Sequence, residues 1–132
     1  MSADPQLSRR VLLAAGLAGT ALVSACGEAR SPAPRSADDP DTALVDEVVS
    51  RITATAALAA RVPDLVAMHT AHLDALDAAP PVAGKAPRGR LLRSERQLQH
   101  FLVDAAGRAE SGPLARLLAS MSAAVSQQVA VL

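Results

Sequence analysis

Apolar residues recur at helical spacing along the chain from Thr42 onward. At about 100° per residue they fall into four one-sided stripes, each long enough for an amphipathic helix. The stripes consist of Leu44, Val45, Val48, Val49, Ile52, Ala56 and Ala59; of Leu65, Val66, Leu73 and Leu76; of Leu91, Leu92, Leu98, Leu102, Ala105, Ala106 and Ala109; and of Leu114, Leu117, Leu118, Met121, Val125, Val129 and Leu132. No strand-like alternation competes with them, so the sequence predicts an all-α domain. Asp41 or Thr42 is the expected N-cap of the first helix.

Helix-breaking residues separate the four stripes. Residues 79–89 carry Pro and Gly and predict a loop, and residues 111–113, Ser-Gly-Pro, end the third helix and start the fourth. Pro63 either begins the second helix or kinks one long helix, which would give a three-helix arrangement that needs a partner. With Pro63 in a turn, residues 42–132 are expected to form an antiparallel four-helix bundle whose helices alternate up and down.

The segment before the bundle has a different pattern. Residues 8–26 read SRRVLLAAGLAGTALVSAC, in which Arg9 and Arg10 precede an uncharged run over residues 11–23 and a small-residue exit. This layout is typical of a cleaved export signal. A membrane-spanning helix needs about 20 apolar residues, and this run is too short. We therefore expect residues 1–25 to be a signal peptide.

Two short motifs in this segment resemble known export signals. Residues 8–13, SRRVLL, resemble the twin-arginine signal. Residues 23–26, VSAC, resemble the bacterial lipobox, whose cysteine becomes the new N-terminus and carries acyl chains such as palmitate. The resemblance implies that Cys26, the single cysteine, anchors the protein to the outer face of the cell membrane. The alternatives are the general secretory route for export and a buried free thiol at Cys26.

A linker is predicted between the anchor and the bundle. Residues 26–41 mix proline, serine and charged residues without apolar periodicity, which is typical of a disordered, flexible tether. The predicted organisation is therefore a signal peptide over 1–25, the lipidated cysteine and its linker over 26–41, and the helical domain over 42–132.

Composition narrows the classes of function. The chain has 13 basic and 13 acidic residues, no Trp or Tyr, and Phe101 as its single aromatic side chain. A neutral chain without stacking platforms is not expected to bind nucleic acid. The serines show no spacing to a base and an orienting acid, so nucleophilic catalysis is not expected and a non-enzymatic role is favoured.

Three polar residues fall on inward faces of the predicted helices. His69 and His72 share the apolar face of the second helix, and Glu95 lies on the apolar face of the third, whereas His100 is predicted to be exposed. In one interpretation the buried carboxylate and imidazole satisfy each other, with Gln128 as a possible hydrogen-bonding neighbour. In the other, His69, His72 and Glu95 bind one divalent metal ion such as zinc. No other cofactor is expected.

These inward residues, together with the closing run LARLLASMSAAVSQQVAVL of residues 114–132, resemble ferritin-like lipoproteins of unknown function from high-GC Gram-positive bacteria. The resemblance implies a secreted ferritin-like bundle. Metal-active ferritin-like proteins use inward glutamates and Glu-x-x-His pairs. This sequence has no Glu-x-x-His pair, so an oxygen-activating di-iron centre is not expected.

A cluster of cations lies at the predicted start of the third helix. The basic cluster, as we call it, consists of Lys85, Arg88, Arg90, Arg93 and Arg96 and is opposed only by Glu95. It is either a solvated face or a contact for anionic lipid headgroups. In an up-down-up-down bundle the loop before this helix lies at the same end as the start of the first helix, and thus near the lipid anchor.

Taken together, these patterns predict a lipid-anchored extracytoplasmic helical bundle that acts as a non-enzymatic binding or structural module. One alternative is a metal-binding or redox protein that uses His69, His72 and Glu95. A second alternative is a carrier of apolar ligands. The expected partner is the membrane, contacted through Cys26, and a protein partner or a homodimer is also compatible with the sequence.

Overall fold

The computed structural model describes residues 39–132. Arg9, Arg10 and the rest of the predicted signal peptide lie outside the described residues, as do Cys26 and the predicted linker up to residue 38. Within residues 39–132 all regular secondary structure is helical. The four helices are α1, Thr42–Ala56; α2, Pro63–Asp74; α3, Arg88–Arg108; and α4, Gly112–Val131. The all-α class and the four predicted helices are confirmed for this part of the chain.

Pro63 makes a turn and does not kink a longer helix. Helix α1 ends at Ala56, and α2 begins with Pro63 in its first position. Val62 before it is extended, with φ −126° and ψ 90°, because the proline ring disfavours a helical conformation in the preceding residue. None of the four helices is long and apolar enough to cross a membrane.

The predicted stripes face one hydrophobic core. Its buried members are Val45, Val48, Ile52, Leu73, Leu76, Leu98, Leu102, Ala105, Leu118, Met121 and Val125. A second, smaller cluster joins the turn after α1 to the first turns of α2 and α3 through Ala59, Leu65 and Leu91. Burial of these apolar side chains stabilises the fold by about 25 cal/mol for each Å² removed from water.

Contacts between helix ends define the direction of each helix. The Asp41 carboxylate, before α1, accepts hydrogen bonds from the backbone N–H groups of Glu110 and Ser111, between α3 and α4. Ala59, after α1, forms an isolated antiparallel bridge with Lys85, before α3. Helix α1 therefore begins where α3 ends and ends where α3 begins. We call the end with Asp41 and Ser111 the proximal end and the end with Ala59 and Lys85 the distal end.

Helices α2 and α3 run in the same direction. Both begin at the distal end, and His69 in α2 contacts Glu95 in α3, each about two turns from the start of its helix. Residues 75–87 connect α2 to α3 and return along the bundle, which is feasible because an extended chain spans about 3.3 Å per residue and a helix only about 1.5 Å. The predicted up-down-up-down alternation is therefore wrong for α2 and α3.

Gly84 holds this crossing segment against the distal end. Its N–H donates to the carbonyl of Ala57 at 2.8 Å, and its carbonyl accepts from the N–H of Ala60 at 3.0 Å. A Cβ atom on Gly84 would lie 2.6 Å from the Ala57 carbonyl oxygen. Only glycine allows the two backbones to approach this closely.

Asp41 acts on a different helix from the one predicted. It occupies the N-cap position of α1, but its side chain makes no hydrogen bond to that helix. Its two carboxylate oxygens accept instead from Glu110 at 2.8 Å and from Ser111, the N-cap residue of α4, at 2.9 Å. The bond from the Glu110 backbone, followed by bonds from Ser111, lowers the pKa of Asp41 below its usual 3.8.

Replacing Gly84 by alanine is expected to lower the free energy of unfolding by about 1–3 kcal/mol, because the new methyl group overpacks the contact with Ala57. Gly107→Ala is the matched control, since nothing lies within 4 Å of a Cβ at that helical position. It should raise stability by about 0.5–1 kcal/mol. Urea denaturation measures both, and equal effects of the two substitutions would contradict the close approach at Gly84.

Asp41→Ala is expected to lower the melting temperature at neutral pH, because two backbone N–H groups lose their acceptor. Since folding lowers the pKa of Asp41, its stabilisation is present above its unfolded value of 3.8 and is lost as the pH falls through the lower folded value. The difference between wild type and variant should therefore shrink in acid. Melting curves from neutral pH to about pH 2 test this, and a difference that stays constant over that range would contradict it.

Candidate functional site

The three inward polar residues are buried, as the helical spacing predicts. His69 and Glu95 are 0 % exposed and His72 is 8 % exposed. His69 and His72 lie on consecutive turns of one face of α2, and Glu95 lies on the facing side of α3. We call these three residues the His-His-Glu cluster. His100 is exposed, which also agrees with the prediction.

A hydrogen bond between His69 and Glu95 joins α2 to α3. The distance from His69 Nε2 to Glu95 Oε1 is 3.0 Å, and both side chains are fully buried. A carboxylate can only accept hydrogen bonds, so with Glu95 ionised the imidazole Nε2 must carry the proton and donate it. The interpretation in which carboxylate and imidazole satisfy each other therefore accounts for one polar atom of each residue.

His72 is held close to this pair. Its ring packs edge to face on the His69 ring, with 6.1 Å between the centroids and an interplanar angle of 73°. Burial, and secondarily the nearby His69, lowers the pKa of His72 from 6.5 to about 4. His72 is therefore a neutral imidazole at neutral pH.

Three buried polar atoms of the cluster have no hydrogen-bond partner among residues 39–132. They are His69 Nδ1, His72 Nδ1 and Glu95 Oε2. Buried polar atoms are usually paired, and each unpaired one costs about 1–3 kcal/mol. The half-buried Gln128, predicted as a neighbour, partners none of them. The hydrogen-bonding capacity of these three atoms is therefore unused within the described residues.

The donor types, but not their present arrangement, suit a metal ion. Neutral imidazole and carboxylate are zinc ligands. Within residues 39–132, however, no three His, Cys, Asp or Glu side chains are arranged as a metal-binding group. A metal at this position would have to replace the hydrogen bond between His69 and Glu95 and draw His72 toward them.

The basic cluster lies at the distal end. All five members are exposed, and none forms an ion pair within the described part of the chain. Lys85 pairs with Ala59, beyond the end of α1, because residues 75–87 return along the bundle. The expectation that this cluster lies beside the start of α1 is therefore wrong, since it assumed a loop that stays at one end.

A second group of polar contacts was not expected from the sequence. Arg51 of α1 and Arg108 of α3 lie over the Phe101 ring, at 4.9 and 5.7 Å from its centroid. Arg108 also donates to Glu47 at 3.2 Å. In the same way, the hydroxyl of Ser94 bonds to that of Thr55 at 3.1 Å between α3 and α1. Helical periodicity shows which residues share a face but does not identify which polar side chains of two helices meet.

The buried pair makes a distinct prediction for stability. His69→Leu or Glu95→Met alone should cost about 3–5 kcal/mol, because each leaves its former partner buried and unpaired. The double replacement should cost less than either single one, since two apolar side chains need no polar partner. Urea denaturation of the four proteins gives the coupling between the two sites. Additive losses would contradict direct pairing of His69 with Glu95.

Comparison of the chain with protein-family models, with curated proteins and with solved structures gives no match. The resemblance to ferritin-like lipoproteins therefore stays a prediction. Any function has to be inferred from the chemistry and placement of the residues described above.

Proposed function

We propose that this protein is a non-enzymatic helical module, used for binding or as a structural element, that is held by a lipid on the outer face of the cell membrane. The observation that carries the non-enzymatic part is the burial of the His-His-Glu cluster. His69 and Glu95 are 0 % exposed and bonded to each other, so neither can meet a substrate while the bundle stays closed. Their arrangement suits a structural role.

The helix order supports a ferritin-like bundle. Helices α1 and α2 form one hairpin and α3 and α4 another, and residues 75–87 join the two hairpins along the length of the bundle. Ferritin-like folds have one long crossing connection, whereas simple up-down bundles have only short loops. This order is part of the proposal that the chain is a ferritin-like lipoprotein.

The anchor part of the proposal is supported by the sequence. Arg9 and Arg10 precede a short apolar run, and Cys26 follows Val-Ser-Ala in the position that a lipobox requires. The polar segment between Cys26 and Thr42 is long enough to hold the bundle clear of the bilayer.

Replacing Cys26 tests the anchor directly. In a high-GC Gram-positive host, the full chain should incorporate an alkyne-labelled palmitate and sediment with membranes, since two acyl chains hold a protein firmly. Cys26→Ser should lose the label and appear outside the membrane fraction. Replacing Arg9 and Arg10 by lysine is the control for export and should leave unlabelled precursor inside the cell. Label on the Cys26→Ser chain, or none on the wild type, would contradict the proposal.

A metal-binding function is the second candidate, and the unpartnered atoms favour it. His69 Nδ1, His72 Nδ1 and Glu95 Oε2 are buried without partners within the described chain. The lowered pKa of His72 keeps this imidazole neutral, which is the form that binds a metal. In this candidate one divalent ion, with zinc as the best match to the ligand types, joins α2 to α3.

Cobalt and zinc titrations of the purified protein distinguish the two candidates. If the cluster binds metal, one equivalent should raise the melting temperature, because a ligand that binds only the folded state stabilises it. His72→Leu should abolish the effect and His100→Ala, which alters an exposed histidine, should keep it. No stoichiometric binding, or equal loss in both variants, would exclude the cluster as the metal site.

A further inference from the structure

The distal end contains a partly open pocket that none of the functions above uses. It has a volume of about 300 Å³ and lies between the turn after α1, the start of α3 and the end of α4. Leu58, Val62, Leu91 and Val131 supply its apolar lining, and Arg61 and Arg88 supply its charges. This volume is at the lower limit of pockets that bind small molecules.

The floor of the pocket continues into the core. Leu91 is 4 % exposed and belongs to the second, smaller cluster of buried residues described above, against which Leu58 and Val62 are packed. Val131, in contrast, is 79 % exposed on the pocket wall. A large exposed apolar side chain beside an apolar recess favours an apolar occupant, because covering both removes hydrocarbon surface from water.

The rim of the pocket is positively charged, and its arginines form no ion pairs within residues 39–132. Arg61 and Arg88 are exposed, and neither forms an ion pair within residues 39–132. No Asp or Glu side chain lines the pocket. Lys85 comes directly before the lining residue Ala86 and adds a further exposed cation.

Two of the basic residues, Arg88 and Arg90, lie where the helix itself disfavours a cation. Arg88 and Arg90 are in the first turn of α3, and no acidic residue is present in that turn. The start of a helix carries a partial positive charge, so cations there lower its stability and an anion raises it. An anionic ligand would therefore relieve repulsion between the arginines and the helix, in addition to forming charge-assisted hydrogen bonds with the guanidinium groups.

We propose that the distal pocket binds a free anionic amphiphile with a single short alkyl chain, its head on Arg61 and Arg88 and its tail between Leu58, Val62 and Leu91. The head is a carboxylate or a phosphate monoester, the two groups that an arginine pair binds best. The volume of the pocket favours one short chain over a two-chain phospholipid. This inference names a ligand class for the binding module proposed above, and it requires no lipid on Cys26.

Isothermal titration calorimetry with octyl phosphate tests the proposal, on the full chain carrying Cys26→Ser so that lipidation plays no part. One octyl phosphate should bind for each chain, with octanol and inorganic phosphate each at least tenfold weaker because they lack one half of the ligand. Arg61→Gln together with Arg88→Gln should weaken binding at least about tenfold, through the loss of charge-assisted hydrogen bonds. Arg93→Gln together with Arg96→Gln is the matched control, with the same change of charge outside the pocket, and should change affinity less than about twofold.

Each other outcome overturns the proposal. Equal binding of inorganic phosphate and octyl phosphate would mean a plain anion site, and equal losses in the two double variants would mean non-specific attraction. Vesicles of anionic phospholipid that bind while octyl phosphate does not would assign the basic cluster to a membrane surface. If nothing binds, the pocket has no ligand of this class. Since the test omits the anchor, its failure leaves the result of palmitate labelling unaffected, and the reverse also holds.

Discussion

The arrangement of the bundle depends on the buried contact between His69 and Glu95. Residues 75–87 form a connection between α2 and α3 that by its length alone would allow many positions of one helix along the other. A fully buried carboxylate and imidazole tolerate few of these positions, since each group must find a polar partner. The 3.0 Å bond gives one polar atom of each group a partner in the observed position. Gly84 then fixes the far end of the crossing segment against Ala57.

Helical periodicity correctly predicted which face of each helix is buried, but it did not predict the direction in which each helix runs. Spacing at 100° per residue determines which side chains share a face, so the burial of His69, His72 and Glu95 followed from the sequence. The direction of α3 depends on whether residues 75–87 stay at one end of the bundle or cross to the other. The composition of this segment does not determine which of the two occurs. The role of Asp41 was missed for a similar reason. Its partners, Glu110 and Ser111, are 69 and 70 residues away, and no local pattern marks such a contact.

The two ends of the bundle differ in chemistry. The proximal end holds Asp41 and the start of α1, whereas the distal end holds the basic cluster and the apolar pocket. Helix α3 has 21 residues and separates them by about 30 Å. The pocket for the proposed ligand therefore lies at the end opposite the start of α1. Between the two ends, the bond from His69 to Glu95 links α2 to α3 across the core.

The most direct test of this account is an NMR measurement of the histidine side chains. A ¹H–¹⁵N correlation spectrum recorded across pH reports which ring nitrogen of each histidine carries a proton and how fast that proton exchanges with water. With His69 bonded to Glu95 and His72 buried beside it, we expect a slowly exchanging proton on His69 Nε2 and a His72 ring that stays neutral until the pH reaches about 4. A rapidly exchanging or unprotonated His69 Nε2, with His72 titrating near its usual 6.5, would show that the two histidines are not buried against Glu95.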